Sequence, residues 1–343
     1  MILAGDVGGT KTMIGLFDAQ PIHPRPLVTR TFTTTDFPDL TTLIAAFAND
    51  PHVSGTSVSA ACFGIAGPVL GDTAALTNVP FTIDARNIAR AFDIPRVTLL
   101  NDLEAMAYSL PLLNRSELHV LQEGRPAPDG NLALIAAGTG LGEAFIHRVN
   151  GRFIPSATEA GHADWAARNE REIGVLRGLL DRFSRVEVER VVSGRGLVNI
   201  HPLLHHGDCL AVDDLSHPKA AALITQAALE RRCGGCIETL ALFASAYGAE
   251  AGNLALRTMA TAGVYVGGGI APKILPALTD GRFLSAFRDK APYTDLLAEI
   301  PVTVILTPDA ALLGAAHAAI NERVLMPAQE TPARSRRTAH GAA

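Results

Sequence analysis

The stretch ILAGDVGGTKTMIGLFD, residues 2–18, leaves few folds open to this chain. An apolar run leads into Gly5-Asp6-Val7-Gly8-Gly9-Thr10-Lys11-Thr12, and a second apolar run, Met13–Phe17, leads out. That pattern predicts strand, glycine turn, strand. Glycine reaches backbone conformations closed to other residues and lets a ligand approach the chain. Successive N–H groups in such a turn form a concave anion site. Thr10, Lys11 and Thr12 add donors, and Asp6 stands where a hydrated metal ion could meet it. The G-x-x-x-x-G-K-[ST] and G-x-G-x-x-G spacings are both absent, and a strand follows rather than a helix. A glycine hairpin alone can be no more than a hairpin. Two further glycine turns strengthen the ligand reading: Gly138-Thr139-Gly140-Leu141-Gly142 and Gly267-Gly268-Gly269-Ile270, each after an apolar run.

The rest of the chain alternates. Leu27–Thr34 is expected as a third strand, and Phe37–Ala48 as a helix from the spacing of Leu40, Leu43, Ile44 and Phe47. Strands are expected at Ser57–Ile65 and Arg96–Leu100, helices at Ile83–Phe92 and Leu103–Leu110. Strands in a row, then strands alternating with helices, indicate an α/β half with a mixed sheet. The polar stretch Asn114–Gly130 suggests a domain boundary. Leu132–Ala137, a glycine turn and Glu143–Arg148 echo the opening hairpin, as if two related halves faced each other. Gly151–Ile173 is expected to be irregular. Helix is expected in Glu170–Phe183, in parts of Val188–His201, and over Lys219–Met259 with a break near Gly234. Gly263–Val266 and Val302–Leu306 should be strands, with helix from Pro272 to Leu278 and from Ala310 to Val324. The tail at 326–343 is expected to be disordered.

With 343 residues, 48% of them hydrophobic and 18% charged, the chain can bury a large core in two domains. A net charge of −5 argues against a nucleic-acid partner. No uninterrupted apolar run reaches membrane-spanning length, and no signal peptide is expected because Asp6 and Lys11 interrupt the N-terminal apolar residues. The cytoplasm is the expected location. Four cysteines, Cys62, Cys209, Cys233 and Cys236, do not make a disulfide scaffold. Cys233-Gly-Gly-Cys236 could be a redox pair or half a metal site, but no second paired motif supplies the missing ligands, and a structural role is expected.

Several residues could carry chemistry. Asn101-Asp102 ends a strand and opens a helix; it reads either as a cap or as an acceptor-orienting asparagine beside a base that takes a hydroxyl proton. Glu159-Ala-Gly-His162 could clasp a polyol or be a surface loop. Glu189 could take part in binding or pair with Arg185, Arg190 or Arg195. Asn78 could form a turn. His201, His205 and His206 are close in sequence and are expected to be loop histidines rather than metal ligands.

Taken together these motifs resemble the bacterial glucokinase family, of the actin-like sugar kinase superfamily. The resemblance covers essentially residues 1–325. It rests on GDVGGTKT, FGIAGPV at 63–69, TN at 77–78, ND at 101–102, AAGTGLG at 136–142, EAGH at 159–162, ERVVSGRGL at 189–197 and GVYVGGGIAPKIL at 263–275, in that order. It implies an α/β two-domain actin-like ATPase (hexokinase/RNase H-like) fold with a deep interdomain cleft. The small domain would be 1–110 completed by 307–325, the large domain 111–306. It implies a homodimer that uses ATP and Mg²⁺ to phosphorylate glucose. Carried over by position, Asp102 is the base. Asn101, Glu159, His162 and Glu189 are sugar ligands, with Asn78 behind them. Gly8, Gly9, Thr10, Lys11, Gly138, Thr139 and Gly140 hold phosphates, Asp6 helps hold magnesium, and Gly268 and Gly269 meet the adenosine. The related ROK kinases place a zinc-binding cysteine cluster soon after the glutamate–histidine loop. Ala163–Glu172 contains no cysteine, so the chain resembles the branch without it. A kinase for mannose or an amino sugar, and a sugar-sensing regulator, are the competing readings. Regulators of this kind carry a helix-turn-helix ahead of the phosphate loop, and here that loop begins at residue 5.

Overall fold

The computed structural model describes residues 1–325 apart from 21, 22, 77, 78, 206, 208 and 210. Asn78, His206 and the tail at 326–343 therefore lie outside the described residues.

The opening hairpin is β1 (Ile2–Val7) and β2 (Lys11–Phe17), extended by β3 (Pro26–Thr33). Helix α1 (Leu40–Ala48) leads to β4 (Ala60–Ile65). A small sheet of β5 (Val69–Leu70), β6 (Thr73–Ala75) and β7 (Thr82–Asp84) precedes α2 (Ala85–Phe92), β8 (Val97–Asn101) and α3 (Asp102–Ser109). Next come β9 (Leu118–Gln122), β10 (Leu132–Ala137), β11 (Leu141–Val149) and β12 (Arg152–Thr158). Helices α4 (Glu170–Leu180), α5 (Gly194–Leu204), α6 (Ala220–Leu229) and α7 (Gly234–Thr258) follow. The chain closes with β13 (Gly263–Gly267), α8 (Leu275–Leu278), α9 (Arg282–Arg288), α10 (Thr294–Glu299), β14 (Val302–Ile305) and α11 (Ala310–Leu325).

The two large sheets share one plan. Their orders are β3-β2-β1-β4-β8 and β12-β11-β10-β13-β14-β9. In each, an antiparallel three-strand meander is joined at its first strand to parallel neighbours: β4 then β8 beside β1, β13 then β14 beside β10. The central strands β1 and β10 are buried almost throughout, as strands covered on both faces must be. Among the described residues no helix is long and apolar enough to cross a membrane.

The polar stretch read as a domain boundary contains β9, and the segment expected to be irregular contains β12. Both are edge strands of the second sheet. An edge strand needs to satisfy only one side, so it tolerates polar residues and even proline; Pro155 of β12 lies opposite Ile146. Neither shows the apolar run that marks an interior strand.

Helix α3 lies between the sheets. Ala105 packs with Ile2, Ala4, Ala60 and Cys62 of the first sheet and with Leu312, Ala315 and Ala316 of α11. Leu103, Ala107 and Leu110 pack with Leu132, Leu134, Ala136, Ala144 and Ile146 of the second. Eight residues are too few to hold a helix in water unaided, so its shape is imposed by this packing. Close approach requires glycine. A Cβ at Gly64 of β4 would stand 2.7 Å from the Ala105 Cβ, and one at Gly267 of β13 would stand 2.8 Å from the Met106 sulfur. A Cβ at Gly314 of α11 would run into the Ala105 carbonyl, a backbone atom that cannot turn aside.

Gly314→Ala should therefore destabilise the protein by about 1–3 kcal/mol, the usual range for overpacking. Gly174→Ala is the control. Gly174 sits inside α4 with open space where its Cβ would go, and the change should add about 0.5–1 kcal/mol. Denaturant melts that rank Gly314→Ala at or above wild type would show that α11 does not fix α3.

Candidate active site

Each glycine loop is fixed by side chains behind it. In the first, the Gly8 N–H donates to the Lys11 carbonyl at 3.1 Å and closes the turn. The Thr34 hydroxyl donates to the Gly8 carbonyl at 2.7 Å and lies 2.9 Å from the Thr12 hydroxyl; both threonines are fully buried. The Thr34 N–H also donates to the Thr10 carbonyl at 3.0 Å. The residues at the turn itself, Gly9, Thr10 and Lys11, remain partly or fully exposed, where a phosphate could reach them.

In the second loop the Gly138 N–H donates to the Gly140 carbonyl, and the Gly194 N–H at the start of α5 donates to the Gly138 carbonyl, both at 2.8 Å. The third loop lies directly behind. Gly268 adopts φ +82° with no room for a Cβ above the Ala137 backbone, and the Ile270 N–H donates to the Ala137 carbonyl at 3.2 Å. Thr139 and Gly269 belong to these same two turns.

Tyr247 of α7 ties the second and third loops together. Its fully buried hydroxyl accepts from the Ala137 N–H at 3.1 Å and lies 3.3 Å from the carbonyls of both Ile135 and Gly267. That is where the β10–β13 ladder ends, at Ala136 opposite Gly267. Burial holds the phenol well above its ordinary pKa, so it is a neutral donor and acceptor here.

Asn101 and Asp102 open α3. The Asn101 side-chain oxygen accepts from the Leu103 N–H at 3.0 Å, and so does Asp102 Oδ1, so the asparagine is a helix cap as well as a site candidate. Its amide reaches the Gly67 carbonyl at 3.4 Å. Burial pushes the Asp102 carboxyl up to about 6; the Leu103 N–H opposes this, and the charge of Glu159 adds to it. Asp6 is pushed further, to about 7, chiefly by burial and then by the charges of Asp102 and Asp309. Three carboxylates thus share one electrostatic neighbourhood. Such a site gains by taking up a divalent cation, and hard carboxylate oxygens suit Mg²⁺.

Among the described residues Glu189 pairs with no arginine. Its carboxylate accepts from the Leu141 N–H at 2.9 Å and packs on Gly140, leaving no space for a Cβ there; Arg190 pairs with Glu187 instead. The Glu159–His162 turn docks against the same place, with Gly161 pressed on the Leu141 carbonyl. Glu159 and His162 are 3.9 Å apart with exposed side chains. The His162 carbonyl is held by Arg185, which also meets Asp164 at 2.8 Å. Leu103, next to Asp102, packs on Gly142. The fold thereby gathers Asp102, Glu159, His162 and Glu189 around the start of β11, with the second glycine loop beside them.

A protein-family model described as "Glucokinase" matches residues 3–322. The chain is 40% identical over 341 residues to a glucokinase of Nostoc punctiforme, covering 92% of this chain and 98% of that one. The chain belongs to the glucokinase family. Among solved structures, a glucokinase from an Antarctic psychrotroph superposes with a TM-score of 0.79 at 28% identity, over 93% of this chain and 98% of that one. A ROK-family glucokinase from Streptomyces griseus, solved with glucose and AMPPNP, shares the fold at a TM-score of 0.62 and 22% identity, over 93% and 98%. The fold is that of the actin-like ATPases. Every described candidate residue, from Asp6 to Gly269, lies inside the span matched by the glucokinase model.

Three residues in this glucokinase-family chain contribute without a signal in the sequence: Thr34 behind the first loop, Tyr247 behind the second and third, and Asp309 beside Asp6. Each acts across a long sequence separation. Tyr247→Phe would leave the Ala137 N–H without its acceptor, a loss of about 1–3 kcal/mol for a buried donor. Lower thermal stability together with a raised KM for nucleotide is the expected outcome. An unchanged KM in a protein of lowered stability would restrict Tyr247 to packing.

Proposed function

We propose that this chain is a glucokinase that transfers the γ-phosphoryl group of ATP to the 6-hydroxyl of D-glucose. The observation that carries the reading is Asp102, a carboxylate fixed at the start of α3, mostly buried, and in electrostatic contact with both Asp6 of the first glycine loop and Glu159 of the sugar-facing turn. Asp102 takes the hydroxyl proton as the sugar oxygen attacks the phosphorus in line. Asn101, Glu159, His162 and Glu189 orient the sugar. Asn78, outside the described residues, completes that set by its position in the family motif. The turns Gly8–Lys11 and Gly138–Gly140, through the N–H groups not bonded within the turn, stabilise the charge that develops on the transferring group. Gly268 and Gly269 receive the adenosine. Asp6 would hold Mg²⁺, which supplies charge neutralisation at the phosphates when bound. Closure of the two halves excludes water, because an open site would hydrolyse ATP. In this reading residues 1–110 with 307–325 form one lobe and 111–306 the other.

The absence of cysteine from residues 163–172 supports a place outside the ROK branch. A cytoplasmic homodimer fits the family, and no described helix could span a membrane.

Coupled ADP release with glucose, mannose, fructose and N-acetylglucosamine tests the assignment. Turnover confined to glucose supports it, and turnover with another hexose alone replaces the substrate. Asp102→Asn should lower kcat by about 10²–10⁴-fold with little change in the KM for glucose. A base must be unprotonated to act. With the carboxyl near 6, kcat/KM of the wild type should rise through that pH and level off above it. Wild-type turnover by Asp102→Asn would end the base assignment.

Asp6 gives a second test. Its carboxyl is raised from 3.8 to about 7 in the folded protein, so the folded form binds its proton more tightly than the unfolded. That contribution to stability is full below the unfolded value and is lost as pH rises through 7. Mg²⁺ replaces the proton. With ADP present, Mg²⁺ should raise Tm more at about pH 8 than at about pH 5.5, and Asp6→Asn should remove the difference. An equal Mg²⁺ effect in Asp6→Asn would place the ion elsewhere.

A further inference from the structure

Far from the glycine loops, the segment after α5 meets the first turn of α7. Cys209 Sγ lies 3.8 Å from Cys233 Sγ and 3.7 Å from Cys236 Sγ, and the three sulfurs form a mutually close group. All three are free thiols. At a zinc–sulfur length of about 2.3 Å, the edge of a tetrahedron of sulfurs is about 3.8 Å, so these spacings match those around one bound zinc ion. The Cys236 N–H points at Cys233 Sγ at 3.4 Å, an interaction that stabilises a thiolate at the first position of the turn.

His205 supplies a fourth ligand. It is within ligand range of Cys209 and within hydrogen-bond reach of the Cys233 side chain. Its side chain sits against Gly235, between the two cysteines of C-x-x-C, where a Cβ would collide with it. Its Nδ1 is 3.0 Å from the Gly207 carbonyl. A carbonyl only accepts, so Nδ1 carries the hydrogen and Nε2 presents a lone pair. This is the arrangement that fixes a histidine as a metal ligand. Cys236 is buried and the other three are half-buried, so the group is shielded without being sealed.

We propose that Cys209, Cys233, Cys236 and His205 bind one structural Zn²⁺. Three thiolates in tetrahedral spacing, completed by an imidazole beside Cys209, select zinc over harder cations. The expectation from sequence, that C-x-x-C lacks partners, fails because the partners come as single residues 24 or more positions upstream rather than as a second motif. The position is also distinct from residues 163–172, directly after the Glu159–His162 turn. The ion would fasten the segment between α5 and α6 to the N-terminus of α7, the helix that carries Tyr247 to the glycine loops. It touches no candidate substrate residue, so its role is to hold α7 in place.

The test is metal content of the full-length protein, purified without a polyhistidine tag or chelator. About one zinc per chain is expected by elemental analysis, with the thiols released to a thiol reagent only after chelation. Replacing zinc with Co²⁺ in the wild-type protein should give the thiolate-to-cobalt charge-transfer and intense visible bands of tetrahedral sulfur ligation. Cys233→Ser and Cys209→Ser should lose the metal and the cobalt spectrum, while Cys62→Ser, in β4 of the other sheet, should keep both. Chelation should lower Tm and added Zn²⁺ restore it. A wild-type protein that takes up neither zinc nor cobalt, or whose cobalt spectrum is octahedral or survives in Cys209→Ser, overturns the proposal. So does isolation of the protein, without added oxidant, with a disulfide among the three cysteines in place of bound metal.

Discussion

The position of α3 is the constraint on which the rest depends. The helix carries Asp102 at its first residue, and it is pressed between two sheets with almost no side chain to spare. Its sequence, DLEAMAYS, alternates large and small residues for that reason. Ala105 faces the first sheet and α11 where glycines 64 and 314 let backbones approach, whereas Leu103, Met106 and Ala107 face the second. Two sheets with the same plan could be placed against each other in many ways. A short helix that must fit both faces removes most of them, because close-packed interiors do not deform continuously. The consequence for chemistry is direct: the carboxylate is carried by a helix packed against both sheets.

The glycine loops depend on the same economy of space. A turn that presents its N–H groups to an anion must keep its carbonyls occupied elsewhere, or it would repel the anion it is meant to hold. Thr34 takes the Gly8 carbonyl, and Gly194 takes that of Gly138. Tyr247 plays the corresponding part at the end of the β10–β13 ladder, where parallel strands diverge and would otherwise leave the Ala137 N–H unpaired. One phenol replaces a missing stretch of sheet and couples the helix α7 to both loops.

What could be read in the sequence was what is encoded locally. Glycine runs after apolar strands, Asn–Asp at a strand end and the break before Gly234 are short-range signals, and the structure places a turn, a capped helix and a helix start at those points. The edge strands β9 and β12 were not legible, since an edge carries no continuous apolar run; LHVLQ and RFIPSAT each bury only one residue fully. Thr34, Tyr247 and Asp309 were missed for a different reason. Each acts on a partner far away in sequence, through one atom, and nothing in its neighbours marks it out. His201 shows the reverse error. Expected as a loop residue, it is buried in α5 with its Nδ1 at 3.0 Å from Thr239.

The distribution of buried acid shows how the fold separates reactive from structural carboxyls. Asp6 sits near the end of a strand, and Asp102 at the start of a helix, where the Leu103 N–H favours its charged form. Glu143 is one strand deeper, in β11, fully buried, and neither of its oxygens has a hydrogen-bond partner among the described residues. Burial, and then the charge of Glu250, push it to about 8, with Arg257 only partly opposing. At neutral pH it is therefore mostly the neutral acid. A buried carboxylate without donors would be costly, whereas a protonated carboxyl carries no charge to solvate. Arg257 cannot neutralise it, because that guanidinium is already committed to Glu250 at 2.6 Å. Two buried acids and one half-exposed guanidinium thus resolve into one ion pair and one neutral carboxyl, and the charge that remains available is kept at the loop ends, where phosphate and metal would arrive.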